Sequence, residues 1–121
     1  MPCESSVGAQ FTSQQISSGL VWVGVTGEID IRNGDALRSF ACRQFESSQR
    51  LVLDLADVEF FGSTGLAVFE GLDDCAKQHG GRWALVCGRP VQRLLRVADT
   101  GIPIQVHTSL ESAMRALRLV A

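Results

Sequence analysis

No block of Lys and Arg interrupts this chain, and no run of apolar residues reaches the length of a membrane span. The first absence argues against direct nucleic-acid binding, because neutralising a phosphate backbone takes clustered cations. The formal net charge is −2, with both signs spread along the sequence. The second absence argues against insertion as a spanning helix, which needs about 20 consecutive apolar residues. The start, Met1-Pro-Cys-Glu-Ser-Ser-Val-Gly8, lacks the basic region and apolar run of a secretory signal. A cytoplasmic protein is the expectation. Cys3, Cys42, Cys75 and Cys87 show neither CxxC nor zinc-ligand spacing, so no metal site is expected. An even cysteine count does not make a disulfide framework in a cytoplasmic chain. Cys42, Cys75 and Cys87 read as small buried or half-buried apolar residues, and Cys3 as a free thiol on a loose terminus. A redox role is the alternative, open only to a pair whose Cα atoms lie within about 7 Å of each other.

What is present fits one modest core. A chain of 121 residues is the size of a single domain, and neither an internal repeat nor a linker divides it. Residues 1–10 read as a flexible terminus and 11–121 as the domain. Phe11 to Ser17 can form a first strand, Ser18-Gly19 a tight turn, and Leu20 to Thr26 a strand rich in β-branched and aromatic residues. Gly27 to Gly34 reads as a loop whose Asp and Asn side chains can bond neighbouring backbone or cap a helix. Leu37, Phe40, Ala41 and Phe45 place an apolar stripe on a helix over 35–48. Leu51 to Leu55 is a nearly continuous apolar run, suited to a central strand buried on both faces.

A second helix over 63–79 carries Leu66, Phe69, Leu72 and Ala76 and ends at Gly80-Gly81. Trp83 to Cys87 is another buried strand. Pro90 starts a short helix bearing Val91, Leu94, Leu95 and Ala98, and Gly101 closes it. Ile102 to Val106 is a last strand, pushed toward an edge by Pro103. Ser109 caps a terminal helix with Leu110, Ala113, Met114 and Leu117 on one side. The order is β-β-α-β-α-β-α-β-α. It predicts an α/β fold: a mixed sheet with a parallel centre and helices packed against it.

The most informative segment is Leu51 to Leu66. Its apolar run leads through Gly62-Ser-Thr-Gly65 into a helix, which puts the Ser63 hydroxyl at or near a helix N-terminus. Three uses compete. A hydrolase elbow wants Gly-x-Ser-x-Gly, but Phe61 stands where the first glycine belongs. The triad order Ser63, Asp99, His107 lacks an oxyanion loop and a substrate cap. His79 and His107 read as a helix-end and a loop residue. A Walker-type phosphate loop needs a lysine and a wider glycine spacing than this turn has. A regulatory hydroxyl fits better, since free helix N–H groups favour a phosphate, and the plain alternative is an N-cap. No enzyme activity and no cofactor are expected.

Gly27-Glu-Ile-Asp30, Leu53-Asp-Leu55, Phe60-Phe-Gly-Ser-Thr-Gly-Leu66 and the Gly-Gly-Arg82 step, in that order over about residues 11 to 119, make the chain resemble the STAS family of bacterial anti-sigma factor antagonists. The resemblance implies the STAS fold and a binding function. The unphosphorylated antagonist would engage an anti-sigma factor that is a serine kinase, freeing the sigma factor. Phosphorylation would release it, and a serine phosphatase would restore binding. Carried over, Ser63 is the phosphoacceptor. Glu28, Asp30, Gly62, Ser63, Thr64, Gly65 and Leu66 form the partner face, and Asp54 supports it from the end of the central strand. A monomer or weak homodimer is expected. One departure stands out: the family's acidic residue before the phosphoacceptor is Gly62 here, so a carboxylate that could cap the helix or orient the hydroxyl is gone. That favours, as second reading, a STAS docking subunit of a signalling or lipid-transport complex that works without phosphorylation.

Overall fold

The structure, a computed structural model, describes residues 3–98 and 104–118. Among these residues six strands form one sheet in the order β1-β2-β3-β4-β5-β6: Cys3–Ser6, Ala9–Ser17, Leu20–Ile29, Arg50–Phe61, Arg82–Cys87 and Val106–His107. The first three are antiparallel neighbours, and β3 through β6 run parallel. The helices are α1 (Gly34–Gln44), α2 (Leu66–Gln78), α3 (Arg89–Val97) and α4 (Leu110–Arg118), with a 3₁₀ turn over Ser63–Gly65 leading into α2. This is the expected mixed sheet with a parallel centre.

Strand order and chain order coincide, which decides where the helices go. Each parallel crossover steps in the same direction, and crossovers are right-handed. The helices between β3 and β6 therefore belong on one face. The packing agrees: Leu37 and Phe40 of α1, Phe69 and Leu72 of α2 and Val91 of α3 share one core with Val21, Val23, Leu51, Leu53, Leu55 and Leu85. The alternate residues Leu20, Val52, Ala84 and Val86 point the other way and meet Ala113 and Leu117 of α4. The period-two alternation of the strands thus splits the core into a large cluster and a small one.

Several boundaries differ from the sequence reading. The start is not a loose terminus: Cys3–Ser6 pairs with β2 as an edge strand, and Arg43 of α1 holds it through Glu4 at 2.7 Å. Gly27 to Ile29 is strand, not loop, and β4 runs on to Phe61 rather than stopping at Leu55. The cause is the register. Gly24 pairs with Asp54 but Thr26 with Asp57, and Gly27 with Val58 but Glu28 with Phe60, so β4 holds two extra residues. Such bulges break the alternation and re-aim side chains, which is why Leu55, Val58 and Phe61 are buried at intervals of three. Helix α1 ends at Gln44, earlier than Ser48. The last strand is seen at Val106–His107; Ile102 and Pro103, expected in it, and Gly101 lie outside the described residues.

The helix punctuation is as expected. Gly80, at φ +66, ends α2 with bonds from Gly81 N to the Ala76 carbonyl (2.7 Å) and from Gly80 N to the Lys77 carbonyl (3.3 Å), a Schellman pattern. Pro90 lies in the first turn of α3, and the Ser109 hydroxyl accepts from Ser112 N at 3.2 Å ahead of α4. Cys42 and Cys75, half-buried on α1 and α2, are joined as a disulfide with Cα atoms 5.8 Å apart, which corrects the reading of both as plain apolar residues. Cys87 is a buried free thiol as expected, its pKa pushed up to about 11 by burial. Among the described residues no helix is long and apolar enough to cross a membrane, and no His, Cys, Asp and Glu group could hold a metal.

Candidate functional site

The two bulges carry β3 and β4 together well past the end of β5, whose last partner on β4 is Leu55. Everything singled out around Ser63 sits on that projection. Gly62 leaves β4 by donating its N–H to the Ile29 carbonyl at 2.8 Å, so the Ser63 turn is tied to the end of β3. Ser63 then opens the 3₁₀ turn, closed by the bond from Gly65 N to the Gly62 carbonyl at 2.8 Å. The Ser63 and Thr64 side chains are exposed. Gly62 is the N-cap residue in extended conformation. It offers no capping group, and neither the turn nor α2 has an acid in its first turn. The leading N–H groups of a helix have no intrahelical partner and carry partial positive charge, so this end is unneutralised by side chains.

Gly65 is buried, and a Cβ there would fall 2.3 Å from the Phe61 ring. Its part is to let the turn close over Phe61, not to offer a contact. Leu66 is half-buried and packs against the main core.

Across from Ser63 lies the loop after β3. Asp30 there is gripped by Arg32, with Nε to Oδ1 at 3.0 Å, Nη2 to Oδ2 at 2.8 Å, and the Arg32 backbone N to Oδ1 at 2.9 Å. Those Arg32 bonds, side chain first, lower the Asp30 pKa, and the Asp30 carboxylate raises that of Arg32. Glu28, exposed, stands 3.9 Å from the same guanidinium. Two carboxylates thus share one cation beside the Ser63 turn. Asn33, buried, fixes the loop from beneath: its Nδ2 donates to the carbonyls of Val7 (2.7 Å) and Glu28 (2.8 Å), and its Oδ1 accepts from Asp30 N (3.0 Å). The loop, the end of β3 and the β1–β2 turn are one hydrogen-bonded unit. Because a lowered carboxyl pKa means the contribution is complete above the unfolded value and fades as pH falls through the folded one, the loop is expected to loosen only in acid. Carbon-detected NMR titration should place the Asp30 midpoint below the ordinary aspartate value of about 3.9, and Arg32→Ala should return it there.

Asp54 is not at this face. It lies in the middle of β4, not at its end, on the side of the sheet that carries α4, and accepts from Trp22 Nε1 at 3.0 Å and Ala56 N at 3.0 Å. Its role is to satisfy the indole N–H and the bulged backbone. His107 is also elsewhere. It pairs in register with Val86, which pairs with Asp54, and its Nδ1 lies 2.7 Å from Ser112 Oγ. Ser63 comes nine residues beyond Asp54, on the order of 20 Å along the strand direction. The sequence-level triad is not assembled at His107, and Asp99 lies outside the described residues.

Two side chains at the site carry no polar signal and were not among the site residues expected from the sequence. Ile31, 83% exposed, and Phe60, 52% exposed, are large apolar groups in open solvent. Phe60 is opposite Glu28 in the ladder, with its ring against Gly62. Ile31 lines a groove of ≈ 230 Å³ between the first turns of α1 and α2, shared with Asp30, Gly34, Arg38, Thr64 and Val68. Only their place in a strand-end and loop that would otherwise be polar could have marked them.

The STAS domain family matches residues 12–113. The anti-sigma-B factor antagonist of Bacillus subtilis (strain 168) is 33% identical over 93 residues, which cover 76% of this chain and 84% of that protein. Among solved structures, an anti-sigma factor antagonist from Mycobacterium paratuberculosis superposes with a TM-score of 0.78 at 27% identity, covering 91% of this chain and 94% of that one. The antagonist SpoIIAA in its unphosphorylated form gives 0.72 at 17% identity, over 92% and 99%, a likeness of fold. With its sheet order, its Ser63 turn and these relatives, the chain belongs to the STAS domain family, and its relatives by sequence are anti-sigma factor antagonists.

Proposed function

We propose that this chain is an anti-sigma factor antagonist that docks on an anti-sigma factor with serine kinase activity, and that phosphorylation of Ser63 ends the docking. The observation that carries the reading is the exposed Ser63 hydroxyl, first in the turn that opens α2 and bordered by Ile31, Phe60 and the Asp30 loop. Such a surface suits a protein partner: apolar groups to be covered, flanked by carboxylates that fix orientation. The partner face comprises Glu28, Asp30, Ser63 and Thr64 as contacts, with Gly62, Gly65 and Leu66 shaping the turn.

A phosphate on Ser63 adds about −1.5 to −2 charges. The helix end beneath it carries no acid and can stabilise the dianion in the free protein. In the complex the same dianion would lose water among Ile31 and Phe60, which strengthens its repulsion from Asp30 and Glu28. That difference between free and bound states is the switch. A serine phosphatase would reset it.

The partner is first captured from the native cell and identified. The protein is then incubated with that kinase and ATP and mapped by mass spectrometry. One phosphate at Ser63 and none on Ser63→Ala is the expected result. Ser63→Glu should bind the unmodified partner on the order of 100-fold more weakly, as a like charge at a desolvated interface costs several kcal/mol. An unmodified Ser63 beside a control antagonist that is phosphorylated would overturn the switch. Gly62, with no carboxylate to orient the hydroxyl, favours in that event the second reading, a docking subunit that binds without being modified.

A further inference from the structure

The groove beside Ser63 is walled by two helices, and those helices are joined. Arg38 of α1 lines the groove, and its stem lies across Gly71 of α2, where a Cβ would be only 2.3 Å from Arg38 Cδ. One helical turn further along each helix, on the same faces, stand Cys42 and Cys75. Their Cα atoms are 5.8 Å apart, and Cys42 Sγ is 3.7 Å from the Gly71 carbonyl. Groove, Arg38–Gly71 contact and cysteine pair thus form one continuous seam between α1 and α2.

Apolar side chains pack the same two helices beside the sulfur–sulfur bond. Leu37, Phe40, Ala41, Phe69, Leu72 and Ala76 are buried around it and hold the helices by packing. The Cα separation suits a disulfide without backbone movement, and both cysteines are half-buried, within reach of small thiols. Cys87 is buried, and burial pushes its thiol up to about 11, so little of it is thiolate for exchange.

We propose that Cys42 and Cys75 are a reversible thiol–disulfide pair, set by a low-molecular-weight disulfide such as oxidised glutathione, that fixes the α1–α2 seam and with it the shape of the groove beside Ser63. One cysteine thiolate attacks a glutathione sulfur and expels a glutathione thiolate. The second cysteine thiolate attacks the mixed disulfide, forms the Cys42–Cys75 bond and releases the second glutathione. The two thiol protons end on the two glutathione thiolates, and two electrons pass to the glutathione disulfide. The bonded form clamps the helices one turn below Arg38. The dithiol form lets the groove walls move apart. The groove as a docking surface rests on the function proposed above; the thiol chemistry does not.

The test uses the full chain carrying Cys3→Ser, which removes the exposed thiol, equilibrated with mixtures of reduced and oxidised glutathione. Thiol labelling with mass spectrometry should show the Cys42 and Cys75 thiols lost together without a lasting glutathione adduct, and recovered with dithiothreitol. Amide hydrogen exchange over 30–38 and 64–68 should slow roughly tenfold in the oxidised form. The slowing should be absent in Cys42→Ser/Cys75→Ser, or in Cys42→Ala/Cys75→Ala if the serines do not fold. Adducts without the internal bond, a bond that resists dithiothreitol in the native protein, or equal exchange at the groove in both forms would each overturn the proposal. No partner enters these measurements, so their failure leaves the Ser63 reading standing, and the converse holds.

Discussion

Phe69→Ala should lower stability by about 3–5 kcal/mol, the range for removing a buried aromatic. Phe69 has no exposed surface and stands between two other rings: Phe61 at 5.3 Å between centroids and Trp83 at 5.9 Å, both stacked. Deleting it removes both contacts and leaves a cavity walled by β4 and β5, strands that cannot collapse inward without losing their ladder. In a urea titration the midpoint should fall with little change in slope, and in thermal unfolding by about 10–20 °C. A loss under about 1 kcal/mol would show that the three-ring stack is not a main support of the core. Phe61 is the last residue of β4, next to Gly62 and Ser63. The substitution should therefore also raise hydrogen exchange in the turn, well before global unfolding.

Gly27→Ala should cost almost as much from a position that looks unremarkable in a strand. Gly27 has φ +98, which costs an L side chain about 1–2 kcal/mol. A Cβ would in addition lie 2.2 Å from the Gly8 carbonyl oxygen, a backbone atom with no rotamer to escape into. Relief requires the β1–β2 turn to back away from β3, adding about 1–3 kcal/mol. That movement would stretch the bond from Glu28 N to the Gly8 carbonyl (2.9 Å) and the Asn33 bond to the Val7 carbonyl. The damage therefore reaches the Asp30 loop. Gly80→Ala is the control: its φ is +66 and a Cβ would meet nothing within 4 Å. Equal losses in urea at the two positions would show that the Gly8 overlap is relieved at no cost.

Those two sites also mark where the sequence could be read and where it could not. Phe69 belonged to a helical stripe with Leu72 and Ala76, and Leu51, Leu53 and Leu55 announced a buried strand. One-dimensional periodicity carried these elements, their order and the parallel centre. Gly27 sat in what read as a loop, because the bulges that carry β3 and β4 onward destroy the alternation a strand is recognised by. The pairing of Cys42 with Cys75 across 33 residues depends on helix placement that no spacing encodes. Cys3–Ser6 is polar and short, an edge strand held from outside by β2 and Arg43. At the site, Ser63 and Asp30 were legible as chemistry. Ile31 and Phe60 were not, because an apolar residue reveals nothing until its exposure is known. Asp54 was read by resemblance as supporting that face from the end of the central strand, and its real neighbour, the Trp22 indole, is 32 residues away.

The six strands lie side by side in the order in which they occur along the chain. During synthesis from the N-terminus, every new strand would emerge to find its lateral neighbour already made, and no strand would wait for a later one to be inserted between it and its partner. Contacts between strands therefore span only a hairpin or a single crossover, the kind of connection that closes at small entropic cost. Growth of the sheet could follow growth of the chain, one edge advancing as the ribosome moves, with Ser63 leaving the tunnel after both strands that anchor its turn.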